Sequence, residues 1–522
     1  MDESQIYAIG QQDFSVLRED GAPYVDKTTF IEKLVRSNTK YYFLARPRRF
    51  GKSLFLSTLR YFFEGKRELF KGLYIDSFDW DWAPYPVIYI DLNRERYAEE
   101  GKLDDVLAKI FSGLEMKYGV EVKDSNLSQR FETIIETAHE KTGKQVVILV
   151  DEYDKPLVGN LNKDDNFEHY RRKLASLYSN FKSSAEHIRL VFLTGVSRFS
   201  KLSVFSDLNN LKDISFDNRF ADICGITEKE LVDYFRQGIK LIGEKRGINF
   251  EEACRLLKEN YDGYRFSPTG SDIYNPWSVL NAMSESMIRN YWNSTGKATL
   301  IAETLRNANV DIESILNANW NLDLLSGLDL RNADPTALLY QTGYLTIGEY
   351  EWDDNTVRLK VPNKEVKQGL FYELLPLYVK VKQGFVERVV DNLLYSIRAG
   401  KPEELMKDLE TYFAGIPYDL KIENENNFHK AFYILATLIG IDAKAEVHTS
   451  DGRIDMMIES RKYIYIIELK YDHSPEEALR QIEEKEYGLK YANDSRQLFK
   501  IGVSFSSKTR RISGWKIVSS QC

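Results

Sequence analysis

Val146-Val147-Ile148-Leu149-Val150 is an unbroken apolar run, mostly β-branched and without a polar face. It reads as a strand covered on both sides, which points to a layered α/β fold. Three similar runs, Tyr41–Ala45, Val87–Leu92 and Ile188–Thr194, lie at distances long enough for crossover helices. The first ~220 residues are therefore expected to form a parallel sheet with helices on both faces.

Two carboxylates, Asp151 and Glu152, close the central run. After Tyr41–Ala45 comes Arg46-Pro47-Arg48-Arg49-Phe50-Gly51-Lys52-Ser53, followed by an apolar helix over Leu54–Phe63. Gly-Lys-Ser at a helix start is the second half of a phosphate loop. Backbone N–H groups cradle phosphate, the lysine pairs with the β/γ oxygens, and the hydroxyl ligates Mg²⁺. Arg46 stands where the loop's first glycine would be. An aspartate at the tip of a neighbouring strand holds the cation, and the adjacent glutamate polarises the attacking water. Loop and acidic strand together describe a site for a nucleoside triphosphate and Mg²⁺. Thr194 and Ser197 end another strand and are candidates for sensing the γ-phosphate; a plain polar turn is the alternative.

A chain of 522 residues is too long for one core and suggests about three domains. We place them at 1–225, 226–414 and 415–522. From Thr227 to about Val310 the periodicity is mostly helical, broken by Tyr261–Phe266 and Tyr274–Trp277. A helix over Thr336–Tyr344, then strands Tyr344–Trp352 and Val357–Val361, outline a winged helix at about 336–362. A generic α+β patch fits the same outline. Helical pattern returns from Gln368 to Phe413, and Gly415-Ile416-Pro417 marks a boundary. The net charge of −8 argues against a bulk electrostatic grip on nucleic acid and leaves only local basic grooves. Cys224, Cys254 and Cys522 have no metal-ligand spacing, which suits a reducing cytoplasm. The acidic start and the lack of any long apolar run lead us to expect no signal peptide and no membrane span.

The last ~100 residues carry a second acidic constellation on an α/β pattern of their own. Tyr463–Leu469 reads as a central strand, and alternation puts Glu468 and Lys470 on one side. Gly452–Ile458 is its partner strand, so Asp455 and Glu468 can lie side by side. Two carboxylates hold a divalent cation and Lys470 can position the attacking water, the arrangement needed for metal-assisted phosphodiester hydrolysis. Glu425 shares a helical stripe with Phe428, Phe432, Leu435 and Ile439. Gln481 shares one with Ala478, Ile482, Lys485 and Leu489 on a helix opened by Ser474-Pro475-Glu476-Glu477.

Tyr24–Thr28, Arg46–Ser53, Val150–Pro156 and Thr194–Phe199, in that order, resemble the bacterial AAA-ATPase-like family over roughly residues 5–280. Its members typically carry the same Arg-Pro-Arg-Arg-Phe-Gly-Lys-Ser form, so the resemblance makes Arg46 a family trait. It implies an AAA+-type ATPase with Arg46–Ser53, Thr194 and Arg198 about the nucleotide. Ser53 and Asp151 would ligate Mg²⁺, and Glu152 would be the base. Arg198 and Arg265 would be transition-state or sensor arginines, unless each is simply an ion pair. The order Glu425, Asp455, Glu468-Leu469-Lys470, Gln481 resembles the PD-(D/E)XK nuclease superfamily. That resemblance implies Glu425, Asp455 and Glu468 on Mg²⁺ or Mn²⁺, with Lys470 and Gln481 also catalytic.

The expectation is an ATP-hydrolysing protein coupled to a Mg²⁺-dependent nuclease acting on DNA or RNA. The alternative is an ATP-dependent switch or scaffold whose nuclease-like domain only binds nucleic acid or a protein partner. Lys444, Lys485, Lys490, Tyr487 and Tyr491 could touch a nucleic-acid backbone or its bases, or form a solvated helix face. A homo-oligomer stays open.

Overall fold

A computed structural model describes residues 7–94, 97, 99, 101–121, 126–160, 164–198, 210–292, 315, 316, 318–322, 325, 335–370, 383–414, 435, 445–450, 453–492, 494–509 and 511–521. Two compact units emerge: Met1–Ser294 with Asn309–Asn363, and Thr295–Ala308 with Lys364–Cys522.

The first unit is built on β1 (Tyr41–Ala45), β2 (Val87–Asp91), β3 (Val146–Asp151), β4 (Ile188–Gly195) and β5 (Lys212–Asp213). They pair in parallel in the order β2-β3-β4-β1-β5. Every residue of β1 and β3 is buried, as their unbroken apolar runs require. Phe43, Ile148, Val150 and Leu193 face a core with Phe111, Phe131, Leu174 and Phe181 from the helices Lys102–Tyr118, Leu127–Thr142 and Asp164–Ser183. On the other face Phe192 meets Tyr42 and Phe55, the latter from the helix Lys52–Phe63. β5 is two residues long and carries no apolar pattern, so sequence reading passed over it.

Parallel pairing brings the carboxyl ends of β1 to β4 to one edge. Asp91 and Asp151 stand in register there, while Ala45 is paired with Gly195. In open α/β sheets ligands bind outside this edge.

Helices Glu228–Arg246, Phe250–Tyr261 and Pro276–Glu285 follow, as their periodicity predicts. Thr227 and Glu230 close a capping box, and Asn249 and Asn275 cap the next two starts. The helix Pro335–Thr342 then ends at Gly343, whose φ of 89° is a left-handed turn that glycine adopts without strain. An antiparallel sheet in the order β6-β8-β7 accompanies it: β6 (Asn319–Asn321), β7 (Thr346–Glu351) and β8 (Thr356–Lys360). The short polar β6 has no alternation that could announce it.

In the second unit β9 (Ala445–Ser450), β10 (Arg453–Glu459), β11 (Tyr463–Tyr471), β12 (Gln497–Ser506) and β13 (Arg511–Gln521) form a mixed sheet ordered β13-β12-β11-β10-β9. Only β11 and β12 run parallel. Helices Gln383–Ala399 and Pro402–Ala414 lie on one face, where the Tyr465 hydroxyl donates to the Ile397 carbonyl and Phe413 packs on Phe505. The helix Pro475–Glu484 covers the other, with Ile482 against Ile464 and Ile466. Among the described residues no helix is long and apolar enough to cross a membrane.

Candidate functional site

The phosphate-loop lysine is held from three sides. Lys52 Nζ donates to the carbonyls of Arg46 at 3.0 Å and Pro47 at 3.2 Å, and lies 3.1 Å from Glu152 Oε1. An ammonium has three donors, and here each has a partner. Lys52 is only 3% exposed. Gly51, with φ of 94°, lets the chain turn into the helix that Lys52 begins. Glu152 itself sits at φ of 51°, a conformation that non-glycine residues rarely adopt.

Behind this pair Asp151 is buried at the tip of β3. The Thr194 hydroxyl donates to its Oδ1 at 2.6 Å, and Ser53 hydrogen-bonds to it as well. Burial, then the neighbouring Glu152 charge, raises its pKa above the usual carboxylate value. Asp151, Ser53, Thr194, Glu152 and Lys52 thus form one connected group, drawn from two strands' ends and one helix start.

The other loop residues are tied to the protein. Arg46 is buried and spends its guanidinium on the carbonyls of Ala45, Ser215, Phe220 and Ala221, and its charge lies 4.3 Å from the Phe266 ring centroid. Burial lowers its pKa to about 10, so it stays charged at neutral pH. Expected at the nucleotide, Arg46 retains only its backbone for that purpose. Phe50 is likewise buried, edge-on to Tyr264 and Phe266. Pro47 is buried so close to Gly343 that a Cβ there would lie 2.8 Å from the proline's own. Arg48 and Arg49 are exposed, with Arg49 stacked 4.1 Å over Trp277. Arg198 pairs with Asp213, stacks on Phe216 and keeps Nη1 without a hydrogen-bond partner among the described residues. Arg265 pairs with Asp272 at 2.9 Å and donates to the Gly348 carbonyl.

Asp154 was not singled out from sequence. It accepts the backbone N–H groups of Val196 at 3.2 Å and Ser197 at 2.6 Å, while the Tyr153 hydroxyl donates to the Ser197 carbonyl. Burial raises its pKa to about 6. It fixes the turn after β4 that carries Ser197 and Arg198. Asp91 was also missed, although its place at the end of a strand repeats the signal that marked Asp151.

In the second unit Asp455 and Glu468 are direct partners across β10 and β11, as alternation predicts. Glu468 is fully buried, with Oε1 3.1 Å from Lys470 Nζ and Oε2 without a hydrogen-bond partner among the described residues. Lys470 also donates to the Oε1 of Gln481, whose amide nitrogen has no hydrogen-bond partner among the described residues. An orphaned, buried carboxylate oxygen beside a paired lysine is costly unless a cation completes it. Glu468 Oε2 is thus available to a cation, while among the described residues no three ligating side chains gather in one place. Glu425 and Lys444 lie outside the described residues, as do the side chains of Asp455 and Lys490. Tyr491 is buried and donates to Glu459, so it is not placed to stack on a base. Lys485 lies over Tyr487 on the surface.

Residues 8–205 match the family described as "Predicted AAA-ATPase", and residues 423–515 match the PD-(D/E)XK nuclease superfamily. A protein of Azotobacter chroococcum mcd 1, described as "Uncharacterized protein in vnfD 5'region", is 35% identical over 522 residues, 98% of each chain. The chain belongs to the AAA-ATPase-like family and ends in a PD-(D/E)XK domain. Within this AAA-ATPase-like protein the first match contains β1 to β4 and the loop, and the second contains β9 to β12 with Glu468, Lys470 and Gln481.

Proposed function

We propose that this AAA-ATPase-like protein binds and hydrolyses ATP in its first unit and uses that cycle to control a Mg²⁺-dependent nuclease in its second. The observation that carries the nuclease reading is Glu468, buried with one oxygen orphaned and the other on Lys470. A divalent cation bound there would supply Lewis-acid polarisation of the phosphodiester and a more acidic water. Glu468, Asp455 and Glu425 would hold it. Lys470, kept in place by Gln481, positions the attacking water and offsets charge that develops on the phosphate.

In the first unit Lys52 would exchange Glu152 for the β/γ-phosphates. Released Glu152 is then free to take a proton from water. Ser53 and Asp151 would hold Mg²⁺, and Arg198 would approach the γ-phosphate with its free nitrogen. DNA or RNA is the substrate class, and three dispersed cysteines suit the cytoplasm.

The deciding experiment incubates purified protein with Mg²⁺ or Mn²⁺ and plasmid or single-stranded nucleic acid, with and without ATP. Cutting that disappears in Asp455→Ala and Lys470→Ala supports the reading. Wild type that binds ATP yet never cuts under any of these conditions would replace it with the switch or scaffold.

A further inference from the structure

β12 passes directly beside the C-terminal site. Ser504 is the in-register partner of Lys470 in the parallel β11–β12 pair, so its hydroxyl lies on the face that bears Glu468 and Lys470. Ser504 Oγ is 2.7 Å from Ser513 Oγ. Ser513 occupies an irregularity in the β12–β13 ladder: Ser504 faces Gly514 and Phe505 faces Ile512, leaving Ser513 as the extra residue. A bulge re-aims a side chain and is frequent next to active sites. Here it turns an exposed hydroxyl back toward Ser504.

The same face continues outward with positive charge. Ser506 pairs with Arg511, which places Arg511 on the side of Ser504 and Lys470. Arg511 is exposed and has no ion-pair partner among the described residues, and Lys508 is exposed in the turn between. That turn is anchored: Asp472 Oδ1 accepts the Ser507 N–H at 2.8 Å, and the Asp472 N–H donates to the Phe505 carbonyl at 2.8 Å. Lys470 on β11, then two hydroxyls and two cations on the β12–β13 hairpin, thus follow one another outward. In a chain of net charge −8 this local run opposes the overall sign.

We infer that the β12–β13 hairpin is the surface against which the nucleic-acid backbone lies. Ser504 and Ser513 hydrogen-bond the phosphate beside Lys470, and Arg511 and Lys508 hold the next phosphate outward. The inference rests on the nuclease reading above and adds the substrate-binding residues that reading lacks. Because every contact is to phosphate, binding is salt-dependent and indifferent to base sequence.

The test uses the full-length protein. In steady-state cleavage of a labelled oligonucleotide, Ser513→Ala and Arg511→Ala each raise KM about ten-fold and leave kcat within about two-fold. Ser513→Thr restores KM because the hydroxyl returns. In anisotropy titrations on the Glu468→Gln background, Arg511→Ala lowers the slope of log affinity against log salt by about 0.7–0.9. Both positions are exposed, so neither variant disturbs a core. If wild type cuts but KM and salt slope stay unchanged in both variants, the hairpin inference falls and the nuclease reading stands. If wild type neither binds nor cuts nucleic acid, both fall together.

Discussion

Lys52 Nζ lies 3.1 Å from Glu152 Oε1, so the lysine of the phosphate loop is neutralised by the carboxylate proposed as the base. Lys52 is 3% and Glu152 17% exposed at the side chain, so solvent screens the pair weakly. Nucleotide and Glu152 compete for one ammonium. Glu152→Gln removes the competing charge, so we expect tighter binding of a fluorescent ATP analogue together with a fall in phosphate release of about 10²-fold or more. Weaker binding, or turnover that survives, would refute the assignment.

Asp154 links stability to pH. Its folded pKa of about 6 exceeds the usual aspartate value, so the folded state binds more protons than the unfolded one between the two. Its contribution is fully present below about pH 4 and is lost as pH rises through about 6. Relative to Asp154→Asn, wild type should lose at most about 3 kcal/mol across that window and change little above it. Denaturant midpoints of the two proteins from pH 4 to 8 would show the slope; parallel curves would contradict it.

Arg46 serves the loop through shape. Arg46→Ala leaves four carbonyls to find new partners and a cavity beside Phe266, for a loss of about 3–5 kcal/mol. Arg46→Lys should recover little, since an ammonium cannot reproduce the guanidinium fork. Thermal unfolding and ATP affinity should fall together in both variants. A stable Arg46→Ala that binds ATP normally would show that the buried network is dispensable.

Glu468 and Lys470 should respond asymmetrically. Lys470→Ala strands a buried carboxylate and should cost about 3–5 kcal/mol while preserving Mn²⁺ binding. Glu468→Gln removes the buried charge, so stability is kept and Mn²⁺ binding measured by calorimetry is lost. Equal destabilisation by both would mean that the pair is only structural.

Much of this was legible in local pattern. Apolar runs announced β1 to β4, and those of β1 and β3 are unbroken because a strand buried on both faces has no room for charged side chains. Alternation put Glu468 beside Lys470 and opposite Asp455 because side chains repeat every second residue. Asp154 and Ser504 carried no such signal. Each gains its role from a partner far along the chain or from a bulge, and neither leaves a period in the sequence.

By itself the sequence determined the layered architecture, the loop-and-acid pair and the acidic strand of the second unit, since these follow from periodicity and residue chemistry at short range. Tertiary structure alone decided how those residues are occupied. Arg46 could have faced phosphate; folding surrounds it with four carbonyls and the Phe266 ring. Lys52 could have stood open; it closes on Glu152, 100 positions further along, because β4 alone separates their strands in the sheet. Burial and long-range pairing set these outcomes, and neither is encoded by any single stretch of chain.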